Sequence, residues 1–286
     1  MIVEAAGRAR DEHGPALTPT GTEGAAPPTH HLLPPRPAAP RRPARTGAPE
    51  GQPRAAKPVA QAMSTIAHEL RTPLATLHAS LELLAEYHTL SLEEVGQLVR
   101  RLQRGVAWLD CLSANLATWS AIETGQLALH LAPVPVDHWI TLALELVQPL
   151  LERREQRVVV SCPTPAPVVY GDEDRLGQVL VNLLVNAGKY GKQGDAILLT
   201  VTVEGAWVRI RVTDHGAGVP TEEQERIFQR EVRGAAARYS GESGHGIGLH
   251  VVKTVVEAHG GAVGVASTPG RGATFWFTLP TRVGAV

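Results

Sequence analysis

Apolar residues at Met63, Ile66, Leu70, Leu74, Leu77, Leu81 and Leu84 recur in alternating steps of three and four, the heptad spacing of a helix that gives one stripe to a bundle seam. The pattern predicts a helix from about Val59 to Tyr87. Ser91-Leu-Glu-Glu94 then has the serine-then-glutamate spacing of a capping box, which starts a second helix. The second stripe runs Val95, Leu98, Leu102, Val106, Leu109, Leu112, Leu116 and Trp119 and ends near Gly125, before Pro133 and Pro135. Two long amphipathic helices joined by a short turn make an antiparallel hairpin. One hairpin leaves its stripe half covered, so two copies pairing as a four-helix bundle complete it.

The pattern changes from Asp137 onward. A helix is expected from Asp137 to Glu155 on Ile140, Leu144, Val147 and Leu151, and short strands at Arg157–Ser161 and Val168–Tyr170. Asp172 or Asp174 caps a helix running to Tyr190, with Leu176, Leu180, Leu183 and Ala187 on its inner face. Ala196–Glu204 and Trp207–Thr213 alternate apolar and polar residues as an antiparallel pair. A helix at Ile247–His259 and strands at Ala262–Ser267 and Thr274–Leu279 complete an α+β layer. Helical crossovers between strands do not repeat, which argues against a dinucleotide-binding fold.

Residues 1–58 differ from both regions: they hold 12 of the 22 prolines and no Phe, Trp or Tyr. Such a segment buries too little apolar area to offset its ordering entropy and is expected to be a disordered, mildly basic tail. Over all 286 residues, 27 basic side chains nearly cancel 28 acidic ones, so nothing global argues for nucleic acid or an anionic membrane. Cys111 and Cys162 show no metal spacing and fit a reducing compartment as small buried hydrophobes. No apolar run approaches the roughly 18 residues of a membrane span, and the expectation is a soluble, cytoplasmic chain.

Candidate chemistry lies in four stretches. His68 is two residues from both Ile66 and Leu70, which at about 100° per residue sets it across the helix from the stripe and facing solvent. Glu69 adjoins it, and Pro73 deletes a backbone donor one turn later. In Asn182-Leu-Leu-Val-Asn-Ala-Gly-Lys-Tyr190, Asn182 and Asn186 share a helix face, with Lys189 and Tyr190 within a turn. Amide oxygens suit Mg²⁺, a lysine suits phosphate and a tyrosine ring suits a base; polar surface residues would explain the same run. Asp214-His-Gly-Ala-Gly-Val-Pro220 ends a strand with a carboxylate able to accept from an exocyclic amine, and with Gly216 and Gly218 allowing close backbone approach. Gly244-His-Gly-Ile-Gly-Leu249 brings Gly244, Gly246, Gly248 and Leu249 to a helix start, an anion site for phosphates, although a linker would read the same way. Each stretch is weak alone; their order and spacing after the histidine are not.

Taken together, these residues resemble the sensor histidine kinases of bacterial two-component systems. His68-Glu-Leu-Arg-Thr-Pro-Leu74 resembles the phosphoacceptor box, and Asp174–Tyr190 the asparagine box. Asp214–Gly218 and Gly244–Leu249 resemble the two glycine boxes, Ile227-Phe228 with Arg233 the phenylalanine box, and Ile122-Glu-Thr-Gly-Gln-Leu127 the exit from the bundle. The resemblance implies a helical hairpin forming a dimeric four-helix bundle, followed by an α+β sandwich that binds ATP with Mg²⁺ and is shared with gyrase-like ATPases. The boundaries become a tail at 1–58, a dimerisation and phosphotransfer hairpin at 59–125, a linker at 126–136 and a catalytic domain at 137–286. It implies His68 as phosphoacceptor, Glu69 as its base, and Thr72 as helping to dephosphorylate the partner. Asn186 would ligate Mg²⁺ with Asn182 in support, Lys189 would touch phosphate, Tyr190 would lie near the base and Asp214 would accept from adenine. The segment from Phe228 to His245 would be a lid over ATP.

The implied activity is ATP-dependent autophosphorylation of His68 and transfer to a receiver-domain aspartate of a response regulator. Input would come from a separate sensor protein or a small molecule, since no sensor domain is recognisable. His215 and Glu231 depart from the usual pattern, and Gly188 and Gly191 replace better helix formers at about 1 kcal/mol each. Two rivals remain at this level. A non-catalytic scaffold would not need His68, Asn186 and Asp214 together, and a gyrase-, chaperone- or mismatch-repair-type ATPase would not need the His68-Glu69 pair.

Overall fold

The structure is a computed structural model. It describes residues 56–86, 88, 90–229 and 246–281, with the side chains of all of these except 56–66, 68 and 69. The expected tail, the glycine-rich run before Gly246, Arg233 and Gly244 lie outside the described residues.

Helix α1 spans Ala56–Ala85 and α2 spans Leu92–Glu123. Ser91 caps α2 reciprocally: its Oγ accepts from the Glu94 amide at 3.2 Å, and the Glu94 carboxylate accepts from the Ser91 amide at 2.8 Å. The chain reverses between them, and Leu77 of α1 packs on Gly105 of α2. The stripes are only partly covered. Leu74 and Leu81 on α1 are 44% and 55% exposed, and Val99 and Val106 on α2 are 41% and 51% exposed. Each pair is seven residues apart, so what remains open is one heptad seam.

The second part has five strands in the order β2-β4-β5-β7-β6: β2 Arg157–Ser161, β4 Ala196–Glu204, β5 Trp207–Asp214, β6 Val263–Ser267 and β7 Ala273–Pro280. β2 and β4 run parallel, joined through β3 (Val168–Gly171) and α4 (Glu173–Tyr190), and the other pairs are antiparallel. One face carries α3 (Val136–Glu152), α4 and a helix at Gly248–Ala258, labelled α6 after the short α5 at Thr221–Gln224. Alternation builds the core: Ile197, Leu199 and Val201 of β4, Val208, Ile210 and Val212 of β5, and Phe275, Phe277 and Leu279 of β7 are all buried. Trp139 of α3 meets Phe277 at 6.3 Å between ring centroids. The opposite face is polar, with Glu204 bridging Arg209 and Arg211 at 2.8 Å each. This is a two-layer α/β sandwich.

Three features depart from the expected elements. The linker is shorter than 126–136, because Ala132–Pro135 forms a strand, β1, antiparallel to β3. Its two prolines argue against a central strand, but a two-stranded edge ladder tolerates them. Helix α3 ends at Glu152, where Glu155 takes φ 54° and the Gln156 amide returns to the Leu151 carbonyl at 3.2 Å. Gly188 and Gly191 are not weak helix positions. A Cβ on Gly188 would lie 2.4 Å from Leu151 Cδ2, so its absence lets α3 and α4 approach; Gly191 lies beyond the helix, and a Cβ there would lie 2.4 Å from the Ala187 carbonyl.

A buried polar node fastens the α4 N-terminus. One Asp172 oxygen accepts from the Arg175 amide at 3.1 Å and the other from the His130 amide at 2.8 Å. The Asp172 amide donates to His259 Nε2 at 3.0 Å, so His259 carries its proton on Nδ1, 2.8 Å from the Val255 carbonyl. Burial holds His259 below the ordinary histidine range.

Two outcomes follow. The unfolded chain takes up a proton on His259 at a higher pH than the folded chain, so the stability this residue gives is present above about pH 6.5 and lost as pH falls from there to its lowered value. Urea denaturation across pH 7.5 to 5 measures the decline, which is expected to flatten in His259→Gln. Gly191→Ala is expected to cost about 1–3 kcal/mol by overpacking against backbone, read as a lower denaturation midpoint.

Candidate functional site

The candidate groove is the place where α4, the turn after β5 and the start of α6 converge: Gly216 comes up against the Tyr190 carbonyl, and Gly248 against Asn182. Leu176, Leu180, Leu183 and Ala187 pin α4 to the sheet, so the residues one step round the helix, Asn182 and Asn186, face the α6 side. Asn182 is buried and Asn186 half-buried. Arg154 closes the far end of α4, donating to the carbonyls of Lys189 at 2.7 Å and Gly191 at 3.1 Å. Such side-chain donors satisfy carbonyls a helix terminus leaves open. Lys189 Nζ sits 4.9 Å from the centre of the Tyr190 ring, a cation–π contact.

Asp214 ends β5 and is 4% exposed. Burial raises its pKa, while the Gly216 and Ala273 amides donate to it and pull the other way. The turn after it is tight because a Cβ on Gly216 would lie 1.9 Å from the Tyr190 carbonyl. Ser267 fixes the other side, accepting from the Val219 amide at 2.8 Å and donating to the Gly272 carbonyl at 2.6 Å. Gly218 stands in this sewn turn.

Helix α6 begins at Gly248 with no side-chain cap from Ile247, and the first amides of a helix have no acceptor within the helix itself. A Cβ on Gly248 would lie 3.1 Å from Asn182 Oδ1, and Gly246 precedes it at φ 67°. Leu249 is half-buried against the core. Phe228 packs its ring edge-on to Phe275 at 6.2 Å and is buried, so it anchors the chain to the sheet rather than facing the groove.

On the hairpin, His68 and Glu69 lie in the continuous helix α1, and Thr72 is exposed. Pro73 withholds the donor that the Glu69 carbonyl would otherwise receive. From the Leu77–Gly105 contact, nine residues back along α1 and nine forward along α2 set the His68 backbone level with Ala114.

One group of residues is absent from the sequence-level reading. Asn115 and Thr118 are buried on α2 beside Cys111, the small buried hydrophobe expected there, on the side of the sandwich. Asn115 Nδ2 donates to Asn182 Oδ1 at 2.7 Å, and Asn182 Nδ2 returns the bond to Asn115 Oδ1 at 2.8 Å. Gln178 Nε2 also donates to Asn115 Oδ1 at 3.1 Å. Arg175 Nη1 donates to Thr118 Oγ1 at 2.6 Å, and Thr118 Oγ1 lies 2.8 Å from Gln178 Oε1. Both polar atoms of Asn182 are thus engaged by Asn115, which leaves Asn186 as the open amide. The available signal was the spacing 111, 115, 118, 122, a second helix face beside the apolar one.

Fold and site together define a histidine-bearing helical hairpin joined to an α/β sandwich whose groove combines a buried carboxylate, side-chain amides and an uncapped helix start. Residues 59–125 match the His Kinase A (phospho-acceptor) domain, and residues 171–283 match the histidine kinase-, DNA gyrase B- and HSP90-like ATPase. The adaptive-response sensory kinase SasA of Prochlorococcus marinus is 38% identical over 220 residues, 75% of this chain and 55% of that protein. SasA of Synechococcus sp. gives the same identity and coverage. Full-length ShkA in complex with AMPPNP superposes with TM-score 0.52 at 30% identity, over 77% of this chain and 45% of that one. The Acinetobacter baumannii histidine kinase AdeS gives TM-score 0.51 at 22% identity over 75% of this chain and 98% of its own, a likeness of fold. The chain belongs to the sensor histidine kinases of two-component systems. It spans about half the length of these SasA relatives. Among the described residues, no helix is long and apolar enough to cross a membrane.

An ionised Asp214 is a standing cost of burial. Its folded pKa lies above the ordinary carboxylate value of 3.8, so the folded chain binds the proton more readily and stability falls as pH rises through that window. Asp214→Asn is therefore expected to be at least as stable as wild type at pH 7, with the advantage shrinking toward pH 4. Urea midpoints at the two pH values measure it.

Proposed function

We propose that this chain is an ATP-dependent protein-histidine kinase that phosphorylates itself on His68 and passes the phosphoryl group to a receiver-domain aspartate of a response regulator. What carries the reading is a coincidence of level. The α2 segment level with the His68 backbone holds Asn115, which bonds Asn182, and Asn182 in turn lies against Gly248 at the start of α6; this supports acceptor and nucleotide groove belonging to one neighbourhood.

The groove fits ATP. Asp214 is a buried carboxylate beside the Gly216 turn and is able to accept from an exocyclic amine. The uncapped amides of α6 suit phosphate oxygens. Among the described residues no group of three or more His, Cys, Asp or Glu could hold a metal, so a cation there rests on amide oxygen and on the nucleotide's own phosphates. Asn186 is the residue to hold Mg²⁺, and Lys189 is the residue to meet phosphate. Bound Mg²⁺ would supply neutralisation of phosphate charge. For the acceptor, a neutral imidazole nitrogen of His68 attacks in line while Glu69 accepts from the other ring nitrogen, fixing the tautomer and taking up developing positive charge. Thr72, exposed one turn on, would help to dephosphorylate the partner.

The open heptad seam of Leu74, Leu81, Val99 and Val106 supports a homodimer, with a second hairpin covering it. Relatives described as adaptive-response sensory kinases support a sensory role, with input from a separate protein or segment.

Incubation with γ-labelled ATP and Mg²⁺ tests the reading. Wild type is expected to take up label that is labile to acid and stable to alkali. His68→Gln loses all of it while still binding ATP, and Asp214→Asn loses both. Unlabelled wild type that still binds ATP would turn the reading toward a scaffold, and ATP turnover retained in His68→Gln would turn it toward an ATPase.

A further inference from the structure

The carboxamide of Asn182 has two claims on it. It stands on the groove face of α4, 3.1 Å from where a Cβ of Gly248 would be, and is spaced one turn from Asn186. Yet its oxygen and nitrogen are both taken by Asn115 at 2.7 and 2.8 Å. The pair is buried, Asn115 and Asn182 each being 7% exposed, and Gln178, Thr118 and Arg175 complete the network. A satisfied buried network of this kind fixes one geometry, and losing one member leaves the others unpaired. The remaining contact is loosely filled: a mainly apolar cavity of about 290 Å³ lies between α2, α3 and α4, bordered by Cys111, Ala114, Trp139 and Leu146 as well as by both asparagines. Specific polar bonds beside unfilled apolar space describe a contact that is precise but releasable.

Building on the nucleotide-site reading above, we propose that Asn115 is a positioning residue that holds Asn182 away from the nucleotide, so that docking of the hairpin on α4 and commitment of Asn182 to the phosphates or their cation are alternatives. Binding of Mg²⁺–ATP then draws Asn182 from Asn115 and loosens the α2 contact. Loss of Asn115 frees Asn182 in advance and removes a competing state. Because a ligand's apparent affinity is reduced by the fraction of competent protein, Asn115→Ala gains affinity without touching the nucleotide.

The test measures binding of a fluorescent ATP analogue with Mg²⁺ to the full chain. Asn115→Ala is expected to bind about five- to tenfold tighter than wild type, the scale of two neutral hydrogen bonds. Thr118→Val, which keeps the side-chain volume, is expected to move the same way by less. In an Asn182→Ala background the gain disappears, since the two residues act through one contact. Hydrogen exchange gives a second readout: residues 111–119 are expected to exchange faster in Asn115→Ala, and in wild type once Mg²⁺–ATP is added. Unchanged or weaker affinity in Asn115→Ala, or an equal gain without Asn182, overturns the proposal while leaving the nucleotide site intact, provided Asp214→Asn still abolishes binding. Wild type that binds no analogue at all overturns both.

Discussion

Helix α4 is closed on three sides and still has to serve a ligand. The sheet takes Leu176, Leu180 and Leu183, α3 approaches closely enough to need Gly188, and α2 takes Gln178 and Asn182. What is left for chemistry is the last turn, with Asn186, Lys189 and Tyr190, and the ends of that helix are held from outside. Asp172 fastens its start to His130 and His259, while Arg154 fastens its finish. A helix so constrained cannot shift its polar groups independently, so the groove depends on α4 keeping register. The closed turn between Gly216 and the Tyr190 carbonyl passes that register on to Asp214.

How legible this was depended on how local the cause was. Strand pair β4–β5 was readable from period-two alternation because it has one buried and one polar face. The α2 start was readable because the capping box is complete within Ser91 to Glu94. Strand β1 was hidden because its two prolines mimic a linker, and only its pairing with β3 shows that the ladder tolerates them. Gly188 in α4 and Gly191 just beyond it were misjudged for a related reason: propensity sees the helix, whereas Leu151 and the Ala187 carbonyl decide the cost. Asn115, Thr118 and His259 were invisible in isolation, since a polar residue on a helix reads as solvated until its distant partners are known.

The two faces of α2 differ in chemistry, and the difference is mechanical. Toward the open seam it offers Val99 and Val106, apolar and heptad-spaced, the composition of a lasting helix pairing. Toward α4 it offers Asn115 and Thr118, whose bonds can be exchanged for water at little net cost. Cys111 lies on this second face with its thiol pushed up to about 11 by burial, which makes it a packing residue and not a reactive one. On the readings proposed above, one helix separates a contact that persists from one that parts.

The tether sets how far the parting can go. The Gln126 amide is still bonded to the Ala121 carbonyl, and the His130 amide is already bonded to Asp172. Between them the chain advances four residues, which at full extension spans about 14 Å. A linker running to Val136 would have had a longer reach; with β1 paired to β3, the connection between hairpin and sandwich is this one short segment. On the proposed kinase reading, the histidine reached would be set by where α2 releases the chain and by the handedness of the hairpin, not by the reach of a long linker.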